Sequence, residues 1–237
     1  MREKVLFSWS GGKDSALALH KLRRSGEYEI AALLTTLTRD YDRVCMHGVR
    51  RVLLERQVES LGLPLEEIFI SQNASNEEYE SKMREVLARY RETGVTTVVF
   101  GDVFLEELRE YREERLSTVG MKALFPLWKS DTAGLACTFI RLGFKAIITS
   151  AESHLLESVF VGRDFDEQFL SMLPPTVDPC GENGEFHSFV YDGPVFHHPI
   201  RCTPGQAVLR ENGFYYCDLI PLQETASHHP TFVGNKS

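Results

Sequence analysis

The sequence predicts an α/β fold, a twisted parallel sheet with helices on both faces, followed by a smaller mixed α+β region. Three observations carry this. The first two-thirds alternates short β-rich runs with amphipathic helical runs, the pattern of parallel β-α-β units. A buried-type strand at residues 4–9 passes through a Gly-Gly loop directly into a helix at 14–25. The last third then turns Gly-, Pro- and aromatic-rich. These features predict a first domain over residues 1–130, a second region over 131–222 and a loose polar tail over 223–237.

Each element has its own signal. Ala16, Leu17, Leu19 and Leu22 lie near one face of the first helix, and Gly26 stops it. A second strand is expected at 30–36, a helix at 49–61 closed by Gly62 and Pro64, and a short strand at 67–70. Ser75-Asn76-Glu77-Glu78 fits a capping box and opens a helix whose Tyr79, Met83, Val86, Leu87 and Tyr90 form a stripe. A fourth strand follows at 95–100, a charged helix at 104–119, a brief strand at 123–127, a helix at 133–142 and a strand at 145–150, all within the alternating pattern. Residues 164–172 read as helix, ended by Pro174-Pro175. Two β-rich runs flank Asn212-Gly213, which predicts a hairpin with a type I′ turn.

Composition narrows the class. With 237 residues, 43% of them hydrophobic, the chain can bury a sizeable core. Its net charge of -8 disfavours bulk nucleic-acid binding, which needs a basic surface. The five cysteines are scattered and no C-x-x-C pair occurs, which argues against a disulfide framework or a zinc knuckle. No signal peptide or bilayer-length apolar run is apparent, so a cytoplasmic protein is expected.

The loop Ser10-Gly11-Gly12-Lys13-Asp14-Ser15 carries the strongest chemical signal. Two glycines let the backbone approach an anion, and the following helix supplies free N–H groups and a positive dipole end. Ser10 and Ser15 add hydroxyl donors, Lys13 adds a full charge, and Asp14 suits a first helical turn or a Mg²⁺ ion. A Walker loop is excluded, because Phe7 stands where its first glycine belongs and Asp14 where Ser or Thr belongs. The loop resembles the pyrophosphate-binding loop of the N-type ATP pyrophosphatases, within the adenine nucleotide α-hydrolase-like group. That resemblance implies a Rossmann-like, HUP-type fold and cleavage of ATP between the α and β phosphates.

A second patch, Cys180-Gly181-Glu182-Asn183-Gly184-Glu185-Phe186-His187, places two carboxylates three residues apart between tight turns. On spacing alone, a solvated acidic turn is as good a reading as a functional loop. The stretch resembles the Gly-Glu-x-Gly-Glu segment of the diphthine–ammonia ligase family. Met46-His47, Gly101-Asp102, Tyr111 with Arg115, Leu127-Trp128 and Gly162 with Asp166 fall in the same order as that family's other motifs.

The resemblance implies an ATP-dependent amide ligase that adenylates a carboxylate and amidates it with ammonia, giving AMP and pyrophosphate. It implies ATP contacts from Ser10 to Ser15, Thr35, Thr36, Gly101 and Asp102, and catalytic roles for Lys13, Asp14, Glu182 and Glu185. It implies acceptor contacts from His47, Tyr111, Arg115, Trp128, Gly181, Glu182, Gly184, Glu185 and His187, with Asp14 holding Mg²⁺. The acidic segment and Gly101-Asp102 depart from the eukaryotic and archaeal pattern. This points to a bacterial-type branch and leaves two acceptors open, protein-borne diphthine or another carboxylate such as a corrinoid side chain. Homo-oligomerisation also stays open.

Two other functions are weighed against this one. A tRNA-modifying pyrophosphatase would bring a cysteine pair or a basic face, and a nucleotide-binding sensor would need no separate acidic loop. The charge run at 105–116 reads mostly as a solvated helix face. Trp128 suits core packing as well as a cleft wall. His197, His198, His228 and His229 lack metal-ligand partners in sequence.

Overall fold

A computed structural model describes residues 2–45, 48–72 and 74–223. His47 and residues 224–237, which make up nearly all of the expected tail, lie outside the described residues. The elements run β1 (Glu3–Ser8), α1 (Lys13–Ser25), β2 (Tyr28–Thr38), β3 (Arg43–Val44), α2 (Arg51–Leu61), β4 (Leu65–Ile70), α3 (Asn76–Glu92), β5 (Thr97–Val99), α4 (Glu106–Ser117) and β6 (Lys122–Leu124). Next come α5 (Thr132–Arg141), β7 (Lys145–Glu152), a 3₁₀ turn (Ser158–Phe160), α6 (Glu167–Met172), β8 (Phe186–Asp192), β9 (Cys202–Leu209) and β10 (Phe214–Pro221).

Five strands form a parallel sheet in the order β4-β2-β1-β5-β6, with β3 adding an antiparallel pair at the end of β2. β1 is buried on both sides. Val5 and Phe7 pack with Leu17 and Leu19 of α1 and Leu53 of α2, while Leu6 packs with Leu87 of α3 and Leu116 of α4. The sheet is therefore covered by helices on both faces, as its continuous apolar strands require. The strand order reverses between β1 and β5, so a crevice opens at their carboxyl ends, the place where such sheets bind ligands.

The N-cap half of the capping box is present: Ser75 Oγ accepts from the Glu78 N–H at 3.2 Å, while the Glu78 carboxylate accepts from Ser71 Oγ and Lys82 Nζ instead. Two expectations need correction. First, β7 does not extend the parallel sheet. It pairs antiparallel with β8 and β10, in a second sheet ordered β8-β7-β10-β9. Its residues 146–151 are all buried, and a continuous apolar run signals double-sided burial without saying which neighbours provide it. Second, the β9–β10 turn is not type I′. Gly213 has φ 79° but Asn212 is not left-handed. The Gly213 N–H donates to the Arg210 carbonyl at 3.0 Å, and the Arg210 N–H to the Phe214 carbonyl at 2.9 Å. This is a three-residue loop, a type I turn completed by a left-handed glycine.

The two sheets share one apolar core that runs from Phe7 and Leu19 to Phe139, Phe186 and Phe189. The antiparallel sheet meets the parallel one at the start of α1, where the Val190 N–H of β8 donates to the Gly11 carbonyl at 2.9 Å. Among the described residues, no helix is long and apolar enough to cross a membrane.

Candidate active site

The loop from Trp9 to Ser15 leaves the carboxyl end of β1 at that crevice. Gly11 adopts φ +78°, and a Cβ there would stand 2.6 Å from Gln57 Oε1, so both backbone and space demand glycine. Gly12 occupies the N-cap position of α1 and offers no side-chain cap. Ser10 Oγ accepts from the Gly12 N–H at 3.2 Å, and Ser15 Oγ donates to the Gly12 carbonyl at 2.8 Å. Gly101, at the end of β5, faces this turn. A Cβ there would lie 3.0 Å from the Ser15 nitrogen. Glycine at that position lets the end of β5 come this close to the first turn of α1.

Lys13 is buried, with Nζ 2.7 Å from Asp14 Oδ2 and 5.3 Å from the centroid of the Phe186 ring. Burial alone would drive its ammonium towards neutrality. The Asp14 carboxylate outweighs that, helped by Glu182, and the pKa is raised. The loop therefore holds a fixed positive charge against an aromatic floor in which Phe165, Phe169 and Phe186 interlock.

The acidic segment folds back over this loop. Asp178 Oδ1 accepts from the Cys180 N–H at 2.8 Å and the Glu182 N–H at 3.2 Å, and its Oδ2 accepts from Thr132 Oγ1 at 2.7 Å. Glu185 is 3% exposed. Its carboxylate accepts from the Asp178 N–H, the Asn183 N–H and Asn183 Nδ2, each at 3.0 Å. Glu185 therefore points into its own loop and is absent from the cleft lining. Gly181, at φ +64°, has the Phe186 ring and carbonyl 2.9 Å from where a Cβ would sit. These constraints turn Glu182 outward into the cleft, where its Oε1 accepts from the Val103 N–H at 2.7 Å. Burial pushes the Glu182 carboxyl up to about 7. The Val103 N–H and Lys13 pull it back, and Asp14 and Asp102 push it further up.

Two chambers adjoin, sharing Ser8, Ser10, Phe100 and Arg112. The polar one is lined by Gly12, Lys13, Asp14, Ser15, Gly101, Asp102, Gly181, Glu182, Gly184, His187 and Ser188. The more apolar one is lined by Leu34, Thr35, Thr36, Tyr79, Met83, Leu87, Tyr111 and Arg115. Thr35 Oγ1 donates to the Trp9 carbonyl at 2.7 Å and so shapes the wall. Tyr111 Oη donates to Glu80 Oε1 and Arg115 pairs with Glu80 Oε2, each at 3.2 Å, so both are tied to α3. Trp128 lines neither chamber. It packs on Phe125 beneath the Arg109 guanidinium, 4.7 Å from its ring centroid.

Three site-forming residues escaped the sequence reading. Arg112 was grouped with the solvated charge run, yet it lies over the Phe100 ring at 4.2 Å and pairs with Asp102 at 2.8 Å. Ser188 lines the polar chamber. Gln57 is fully buried. Its Oε1 accepts from Trp9 Nε1 at 3.0 Å, and its Nε2 donates to the Gly11 carbonyl at 3.0 Å and the Val190 carbonyl at 2.6 Å. A signal existed, because Leu53, Leu54, Gln57 and Leu61 share the buried face of α2, and an amide there needs partners. Gln57→Leu strands the Trp9 indole N–H, so a loss of about 1–3 kcal/mol in unfolding free energy is expected. A variant as stable as wild type in denaturant titration would contradict this tie.

The sequence matches the family model of the diphthamide synthase N-terminal domain over residues 1–123, and that of the C-terminal domain over residues 131–219. A diphthine–ammonia ligase of Schizosaccharomyces pombe is 28% identical over 229 residues, which cover 89% of this chain and 38% of that protein. A diphthine–ammonia ligase of Danio rerio is 24% identical over 224 residues, 86% of this chain and 88% of that protein. The chain thus spans well under half of the S. pombe relative. A solved structure described as a predicted subunit of tRNA methyltransferase from Methanocaldococcus jannaschii overlays with a TM-score of 0.43 at 18% identity, covering 61% of this chain and 80% of that one. With both of its regions matched in order, the chain belongs to the diphthamide synthase family.

Proposed function

We propose that this chain is an AMP-forming amide ligase that joins ammonia to a carboxylate at the expense of ATP. The observation that carries the reading is one cleft holding the phosphate loop on one side and Glu182 on the other. The names of the two relatives support the same chemistry. In this reading residues 1–130 bind ATP and residues 131–222 supply the acceptor side.

The adenine and ribose lie in the apolar chamber beside Thr35 and Thr36, and the phosphates reach the amides of α1 past Gly101. An acceptor carboxylate attacks the α-phosphorus, the α–β bond breaks, and pyrophosphate leaves with its charge against Lys13. Donors aimed at charge that grows in the transition state act most strongly in a site preorganised in this way. Ammonia then attacks the acyl carbon of the adenylate. AMP leaves, and Glu182 takes the proton that nitrogen must lose. His187 lines the same chamber and would meet the acceptor. Glu185 acts through the loop it orders rather than on the substrate.

A Mg²⁺ ion fits this site through Asp14, which lies 29% exposed at the phosphate loop. Mg²⁺ commonly takes one or two carboxylates plus phosphate oxygens, and when bound it would neutralise phosphate charge. Asp102 is held by Arg112 on the same wall.

The acceptor is a carboxylate, with protein-borne diphthine and a small molecule such as a corrinoid side chain as the two candidates. We place the chain in the bacterial-type branch of the family and in the cytoplasm. The test is to supply ATP, Mg²⁺, ammonium and each acceptor in turn and to follow AMP, pyrophosphate and amide. Acceptor- and ammonium-dependent AMP with matching amide supports the proposal. AMP formation that depends on tRNA instead would overturn it.

A further inference from the structure

Helix α1 begins with no cap of its own, because Gly12 has no side chain to offer. Its first N–H is satisfied from across the molecule: the Lys13 N–H donates to Ser188 Oγ, on β8, at 3.1 Å. Ser188 is 3% exposed and lines the polar chamber together with Ser10, Gly12, Lys13 and Ser15. Two residues further along β8, the Val190 N–H donates to the Gly11 carbonyl at 2.9 Å, and Gln57 Nε2 bridges the same two residues. The phosphate loop is therefore held in register against β8 at both ends.

A serine hydroxyl has one proton to donate and lone pairs to accept with. The Lys13 N–H occupies an acceptor position, and no bonded acceptor for the Ser188 proton is found among the described residues. A buried hydroxyl whose donor is unspent and whose cavity ends at a helix N-terminus is suited to an anion's oxygen.

We propose that Ser188 is a pyrophosphate ligand, donating its hydroxyl proton to the β,γ-diphosphate portion of ATP and to the pyrophosphate released from it. The antiparallel sheet would thus complete the phosphate site rather than only carry the acidic loop. This rests on the α–β cleavage reading above and assigns one more donor to the leaving group. Ser188 would also couple ligand to fold. As the proton turns to the phosphate, the same oxygen keeps its bond from Lys13, so the loop need not rearrange on binding.

The probe is inorganic pyrophosphate, titrated calorimetrically with Mg²⁺ against the full chain, with AMP as the control ligand. Ser188→Ala should weaken pyrophosphate affinity by about 10- to 100-fold, the span of a lost hydrogen bond to a charged group. AMP affinity should stay within about two-fold of wild type. Because Ser188→Ala also removes a cap, the isosteric pair Ser188→Thr and Ser188→Val gives a second reading. Thr should restore pyrophosphate binding to within a few-fold, and Val should not. Unchanged pyrophosphate affinity in Ser188→Ala or Ser188→Val would overturn the proposal. So would an equal loss of AMP and pyrophosphate binding, since that marks a cap and nothing more. The cleavage reading fails separately, if wild type turns ATP into ADP and phosphate, and wild type with no affinity for pyrophosphate contradicts both.

Discussion

Lys13→Ala is expected to lower kcat for AMP formation by about 10²- to 10³-fold, the usual loss when one preorganised donor to a developing anion is removed. The residue is suited to that role because its charge is fixed before substrate arrives. Nζ sits 2.7 Å from Asp14 and over the Phe186 ring, almost out of solvent. Such a cation gains more from a newly formed phosphate charge than one exposed to water. Asp14 is partly exposed, so it can be rehydrated once Lys13 is gone, and the fold should survive. The measurement is single-turnover AMP release alongside circular dichroism. Near-wild-type turnover in a folded variant would remove Lys13 from the mechanism.

Glu182 carries the second large effect. Burial raises its carboxyl to about 7, the range in which a general base is most effective. A base must be ionised, so kcat for amide formation should rise as pH increases through about 7, with free ammonia held constant by adjusting total ammonium. Glu182→Gln keeps an oxygen for the Val103 N–H but cannot take a proton. It should lower kcat by about 10²- to 10⁴-fold and abolish that limb of the profile. The stability sign is opposite. A folded-state pKa raised above the ordinary value means the charged form opposes folding, so stability falls as pH rises from the usual carboxylate range through about 7. At pH values above that window Glu182→Gln should therefore be no less stable than wild type. A Glu182→Gln profile that still shows the limb would assign it to another group.

Much of the fold was legible because it is written locally. The β1–loop–α1 unit, the Ser75 cap and the hairpin at Asn212-Gly213 each depend on residues within a few positions of one another. Within the candidate site, two glycines were legible for the same reason. Gly11 and Gly181 mark left-handed turns, whereas Gly101, whose close approach to the Ser15 nitrogen is a long-range contact, was reached only through the family resemblance. What stayed hidden depends on long-range pairing. Ser188 meets Lys13 across 175 positions, and Gln57 meets Val190 across 133. β7 has the apolar run of a parallel strand, but its partners are antiparallel. Of the two readings of Trp128 the packing one is seen, and Arg112 leaves the solvated charge run, for a simple geometric reason. Arg112 lies on the side of α4 that faces Asp102 and Phe100, while Trp128 is covered by Arg109 from the same helix.

The central claim is that this cleft breaks the α–β bond of ATP. The most direct measurement incubates the protein with ATP labelled in its γ-phosphate, together with Mg²⁺, ammonium and a carboxylate acceptor, and identifies the labelled product. Label recovered in pyrophosphate, with an equal yield of AMP, is the predicted result. Label recovered in inorganic phosphate, with ADP, would contradict the account.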